Sequence, residues 1–206
     1  THNPMKLGMR LLYQPRFDAG AWLDAVERHR PSATFLVPAM VELLIAHPRW
    51  PDADLSSITL CPVGSAPLAP STFRALRDRL AGAVVSNSWG MTEAGSAYCT
   101  LPVEEQDRRI GSVGRPVPPM EVRILGPDGD ELPAGEVGEL AVRNPGRERE
   151  YFGDPEATAR TWRDGWLHTG DLARVDADGY LYIVGRMKDV IIRGGNNVHA
   201  ADVEAV

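Results

Sequence analysis

The sequence predicts an α/β fold that gives way to a small, β-barrel-like subdomain. Two observations carry this reading. As far as residue 90, short apolar runs alternate with amphipathic segments at helical spacing, the pattern of a mainly parallel, two-sided sheet. Beyond residue 110 the apolar period drops to two, with turn residues between the runs. Punctuation agrees: the 20 glycines and 17 prolines of the 206 residues fall singly, at the ends of apolar runs, and mark many short elements with tight connections.

In chain order, "FDAGAWLDAVERHRP" offers Asp18 as an N-cap and Pro31 just past the end of a helix. Trp22, Ala25, Val26 and His29 share its apolar face. "ATFLV", Ala33 to Val37, is a short apolar run fit for a buried strand, and Pro38 opens a second helix that stops before Pro48. "SITLCPVG" reads as a strand, "PSTFRALRDRLAG" as a helix ending at Gly82, and "AVVSNS" as a third strand. "MEVRIL" and "EVGELAVR" alternate on either side of "GPDGDEL", which reads as a hairpin, and "LARVDADGYLYIVGR" repeats the pattern. Between them "DPEATARTW" forms one short helix, with Asp154 as cap and Pro155 at its first position. From Lys188 the chain enters another strand, turns at Gly194-Gly195 and begins a helix. This divides the chain into an α/β part over 1–110, a β-rich part over 111–185, and a hinge with the start of a further domain over 186–206.

Composition excludes several functions. Twenty-two basic against 28 acidic residues leave a net charge of −6, with no broad basic field for nucleic acid or an anionic membrane. Arg108-Arg109 reads as a solvated turn. The two cysteines, Cys61 and Cys99, and the five histidines are scattered without metal-ligand spacing. No apolar run spans a membrane and no signal peptide is visible, so a soluble protein of the reducing cytoplasm is expected. The oligomeric state is left open, a homodimer included.

Four segments carry chemistry. "VGSAPLAP" ends a strand with small residues that let backbone approach a ligand, although a plain strand-to-helix loop accounts for it as well. "NSWGMTEAG" also follows a strand, and so belongs on the same sheet rim. There Glu93 suits a hard cation, Thr92 a phosphoryl oxygen, and Trp89 a flat ring; equally, Trp89 packs in the core while Thr92 and Glu93 cap a turn. In "DGWLHTGDL" Asp171 stands beside a tight turn, able to accept two ribose hydroxyls or simply to bend the chain. In "GYLYIVGRMKDVIIRGGNNVHAADVE" a strand ends at Gly185-Arg186 before a polar stretch, as a hinge or an ordinary turn would.

Together, "NSWGMTEAG", "GWLHTGDLARVDADGYLYIVGRMKDVIIRGGNNVHAADVEAV" and "GSVGRPVPPMEVRILGPDGDELPAGEVGELAV" resemble the adenylate-forming superfamily, acyl-CoA synthetases above all. The resemblance implies the second half of that family's large N-terminal domain plus the start of its α+β C-terminal domain. It implies activation of a carboxylic acid with ATP and Mg2+ and transfer of the acyl group to coenzyme A. By motif match, Gly64, Ser65, Ala66 and Pro67 border the adenine, Asn87 bonds its amine, and Trp89 stacks on it, with Gly90 and Met91 alongside. Thr92 meets the α-phosphate, Glu93 binds magnesium, and Asp171 with Arg186 holds the ribose. Lys188 is the hinge, and Gly194, Gly195 and Asn197 line the thiol channel.

The chain departs from the family pattern where the upstream phosphate loop and the C-terminal catalytic lysine are expected. The 206 residues are therefore expected to be inactive alone. His199-Ala200 stands where the family often has an aromatic and a proline. Two alternatives stand beside the acyl-CoA synthetase: an adenylation unit that loads a carrier protein, and a non-catalytic nucleotide-binding or interaction fragment.

Overall fold

The computed structural model describes residues 8–66, 68–95, 97–144, 149–189, 191–193 and 196–198. Helix α1 (Ala19–His29) begins where Asp18 caps it, Oδ1 accepting from the Ala21 amide at 2.8 Å. Its buried residues are Trp22, Leu23 and Val26. His29, expected on that face, is exposed, and Leu23 takes its place; an imidazole without a partner costs more to bury than it gains. Helices α2 (Pro38–Ile45) and α3 (Pro70–Arg79) each start at the proline that cannot donate, in the turn where no donor is needed.

Strand β1 (Leu60–Val63) pairs in parallel with β2 (Val84–Gly90), from Leu60 opposite Val84 to Val63 opposite Asn87. The run Ala33 to Val37 does not become a full strand. It makes isolated parallel bridges to β1, Ala33 to Leu60 and Leu36 to Val63. Pro62 explains the gap: its carbonyl accepts from Leu36, but it has no N–H to return toward that side. On its other edge β2 pairs antiparallel with β3 (Ala97–Thr100), which pairs with β4 (Arg115–Pro116). The sheet is thus mixed rather than mainly parallel, because the chain turns back on itself directly after Gly90 instead of crossing over through a helix.

The second sheet is antiparallel and matches the alternating stretches. Strands β5 (Glu121–Leu125) and β6 (Gly138–Arg143) form the expected hairpin. Helix α4 (Pro155–Thr161), capped by Asp154, leads through β7 (Trp162–Arg163) into β8 (Trp166–Val175), which pairs with β6, β7 and β9 (Leu181–Arg186). A 3-10 turn, Met187–Asp189, follows, then the short hairpin of β10 (Ile191–Arg193) and β11 (Asn196–Val198). The helix expected after it lies outside the described residues, as do Gly194, Gly195 and His199.

Apolar burial forms two clusters. One runs from Trp22 to Val85 and centres on Leu23, Val41, Leu44, Val63 and Leu76. The other runs from Trp89 to Leu181 and centres on Cys99, Leu140, Val142 and Leu181. Each fully buried leucine is worth about 1.5–3 kcal/mol over an exposed one. The division falls inside β2, between Val85 and Trp89. Arg109, expected in a solvated turn, has a side chain only 17% exposed. It pairs with Asp176 at 2.7 Å and with Asp178, and lies over the Tyr180 ring at 4.5 Å. The aspartates of the β8–β9 turn stand opposite it and draw it inward. Among the described residues no helix is long and apolar enough to cross a membrane.

Candidate functional site

Three backbone irregularities build one rim. At the end of β1, Gly64 approaches β2 so closely that a Cβ there would stand 2.6 Å from the Ser88 carbonyl oxygen. Ser65 then takes φ = 75°, a left-handed conformation that a non-glycine residue holds only when its surroundings enforce it. At the end of β2, the chain closes one turn, the Gly95 amide donating to Met91 O at 3.1 Å and Thr92 O at 3.0 Å. That turn presents Thr92 and Glu93. In β8, Thr169, Gly170 and Asp171 lie within the strand rather than in a free-standing turn. The step from 139 to 141 on β6 matches the step from 172 to 168 on β8, two residues against four, so β8 bulges there. Thr169 Oγ1 holds the bulge, donating to Leu140 O at 2.7 Å and accepting from the Asp171 amide at 3.0 Å.

Between these features lies a cleft of about 490 Å3. Of the residues singled out in the sequence, Ser65, Gly90, Met91, Thr92, Glu93 and Arg186 line it. Asp171 lies just behind, 8% exposed. Its Oδ2 accepts from the Trp89 indole at 2.9 Å, and its Oδ1 stands 3.2 Å from Arg186 Nε. Trp89 is itself buried in the second apolar cluster and does not appear among the lining residues. Asn87 is buried too, and its amide donates to Ser112 O at 3.1 Å, tying β2 to the turn before β4. Gly64 supports the rim from beneath, Ala66 is exposed, and Pro67 lies outside the described residues. Lys188 sits in the exposed 3-10 turn beyond the cleft. Asn197 lies in β11.

Sequence reasoning missed Glu139, His168 and Tyr151, all in the cleft wall. Glu139 Oε2 lies 2.9 Å from His168 Nδ1, and its Oε1 accepts from the Gly170 amide at 3.3 Å, so it braces the bulge. Tyr151 donates its hydroxyl to Glu93 Oε1 at 3.0 Å. Burial pushes the Tyr151 phenol above its ordinary range, and the neighbouring Glu93 carboxylate pushes the same way. Only His168 had a local signal, its place beside Thr169; the other two meet the site across long sequence separations.

Among the described residues no group of three or more His, Cys, Asp or Glu side chains could cage a metal. Glu93 nonetheless fits magnesium. Its Oε2 has no hydrogen bond or ion pair among the described residues, and Mg2+ is commonly held by one or two carboxylates together with substrate phosphates.

The AMP-binding enzyme family matches residues 1–152. The chain belongs to the AMP-binding enzyme family. A feruloyl-CoA synthase of Amycolatopsis sp is 43% identical over 197 residues, covering 96% of this chain and 40% of its own length. The amide bond synthetase of Marinactinospora thermotolerans is 39% identical with a TM-score of 0.82, over 94% of this chain and 40% of that one. The O-succinylbenzoate coenzyme A synthetase of Bacillus subtilis, in complex with ATP and magnesium ion, is 32% identical with a TM-score of 0.82, over 99% and 42%. This AMP-binding enzyme chain thus spans about 40% of the length of the relatives it matches. The two solved structures share its mixed α/β fold with an antiparallel second sheet.

Proposed function

We propose that the protein carrying this chain is an acyl-CoA synthetase, which activates a carboxylic acid as its acyl adenylate and passes it to coenzyme A. The observation that supports this best is the cleft itself, where the Thr92-Glu93 turn of one sheet meets Arg186 of the other, with Asp171, the partner of Arg186, just behind. A nucleotide needs both: donors and a metal-binding carboxylate at its phosphates, and a carboxylate at its ribose. The feruloyl-CoA synthase and the O-succinylbenzoate coenzyme A synthetase among the relatives favour an aryl acid.

In this reading Gly64, Ser65, Ala66 and Pro67 border the adenine, Asn87 bonds its amine, and Trp89 backs it, with Gly90 and Met91 at its edge. Asp171 accepts both ribose hydroxyls with Arg186 beside it. Thr92 orients the α-phosphate toward the incoming carboxylate. Magnesium, when bound at Glu93, supplies neutralisation of phosphate charge. Carboxylate attack on a phosphate brings anions together, so fixed donors and alignment are what the chain must contribute. Lys188, just past β9, is the hinge about which the small C-terminal domain rotates between half-reactions. The cytoplasm is the proposed compartment.

Carboxylate-dependent pyrophosphate exchange by the full-length polypeptide tests the reading. Glu93→Ala is expected to lower exchange by at least about a hundredfold, the scale of losing an electrostatic contact to reacting phosphate, and Asp171→Ala by at least about tenfold, the scale of losing hydrogen bonds between the ribose and a charged group. Near-wild-type exchange in either variant would remove that residue from the site.

A further inference from the structure

Tyr151 is held at three points. Its amide donates to Thr158 Oγ1 at 2.9 Å, its ring meets Trp162 edge-on at 5.4 Å, and its hydroxyl reaches Glu93. Thr158 is fixed in turn, donating its hydroxyl to Asp154 O at 2.8 Å within the capped start of α4. Two residues earlier, Arg149 donates to the Thr92 carbonyl at 2.6 Å. One segment, standing against α4, therefore grips both members of the Thr92-Glu93 turn from outside the sheet that carries them. Glu93 has no other bonded partner among the described residues, so without Tyr151 its carboxylate is free to rotate.

We propose that Tyr151 is a positioning residue for Glu93: its hydroxyl occupies Oε1 and leaves Oε2 turned into the cleft for a divalent cation. This rests on the reading of Glu93 as the magnesium-binding carboxylate. Arg149 acts alongside, holding the peptide of the turn while Tyr151 holds the side chain. The phenol suits the task. It is a neutral donor, so it fixes one oxygen and leaves the carboxylate its charge.

Tyr151→Phe keeps the ring against Trp162 and removes only the donor. Measurements on the full-length polypeptide test the proposal. With Mn2+ as probe and a non-hydrolysable ATP analogue present, electron paramagnetic resonance titration is expected to give a metal dissociation constant raised roughly tenfold by the substitution, the scale of losing a hydrogen bond to a charged group. The thermal midpoint and the half-saturating acid concentration in pyrophosphate exchange are expected to stay at wild-type values.

The outcomes separate. If Glu93→Gln leaves Mn2+ binding unchanged, the metal reading of Glu93 is wrong and the inference falls with it. If Glu93→Gln weakens Mn2+ binding but Tyr151→Phe changes it less than about twofold, the metal reading stands and the positioning role is refuted.

Discussion

The contact most open to direct measurement is the indole of Trp89 on Asp171. Trp89→Phe removes one donor and three ring atoms from a residue only 8% exposed. At about 0.8 kcal/mol per buried methylene-sized group, the lost packing costs roughly 2 kcal/mol. Leaving a buried carboxylate oxygen without its donor adds about 1–3 kcal/mol. Arg186 cannot compensate: its side chain is 58% exposed, and ion pairs that open to water are worth about 0–1 kcal/mol. The total is about 4 kcal/mol, and with a urea slope near 2 kcal/mol/M the midpoint should fall by about 2 M. A double-mutant cycle of Trp89→Phe with Asp171→Ala separates the two parts, because the packing loss cancels and the bond remains. Followed by circular dichroism, so that losing an indole does not alter the probe, the cycle is expected to give a coupling of about 1.5–3 kcal/mol. A coupling below about 0.5 kcal/mol would mean that Trp89 is core packing alone, and that Asp171 is held by the bulge.

Two further outcomes are expected. Gly64→Ala would push its methyl against the Ser88 carbonyl, 2.6 Å away, and pry apart the ends of β1 and β2 under the cleft. It should cost about 1–3 kcal/mol in urea denaturation and weaken nucleotide binding; an unchanged midpoint would show that the rim gives way freely. Cys61 and Cys99 are fully buried, and burial pushes both thiols up to about 12. Neither should react with a disulfide reagent at pH 8 faster than the chain opens, and rapid two-thiol labelling of native protein would contradict their placement. Because the folded values lie above the ordinary value of 9.0, the thiols' contribution to stability is whole below pH 9 and is lost as pH rises toward 12, so the urea midpoint should decline over that window.

Local signals carried most of the fold. Asp18, Pro38, Pro70, Asp154 and Pro155 mark helix starts through chemistry that acts within a few residues, and the structure places the helices there. The β5–β6 hairpin follows from alternation and its turn. What escaped was non-local. Nothing near Ala33 to Val37 reveals that its partner strand would carry Pro62 at the pairing edge. Nor does alternation in "WLHTGDL" disclose a two-residue bulge, which depends on the step taken by β6. The site divides the same way. Ser65, Thr92, Glu93 and Arg186 each stand in a local motif and line the cleft, whereas Tyr151 reaches Glu93 across 58 positions and Glu139 reaches His168 across 29.

Strand β2 has a consequence for how such chains can be recombined. Its first residues are rooted in one apolar cluster and Trp89 in the other, with Asn87 between them bonded forward to Ser112. A crossover between Val85 and Trp89 draws each apolar interior from a single parent, whereas one placed between Trp89 and Leu181 mixes parents within the second. Parental blocks should therefore be exchanged inside β2, with residues 87 and 112 inherited together.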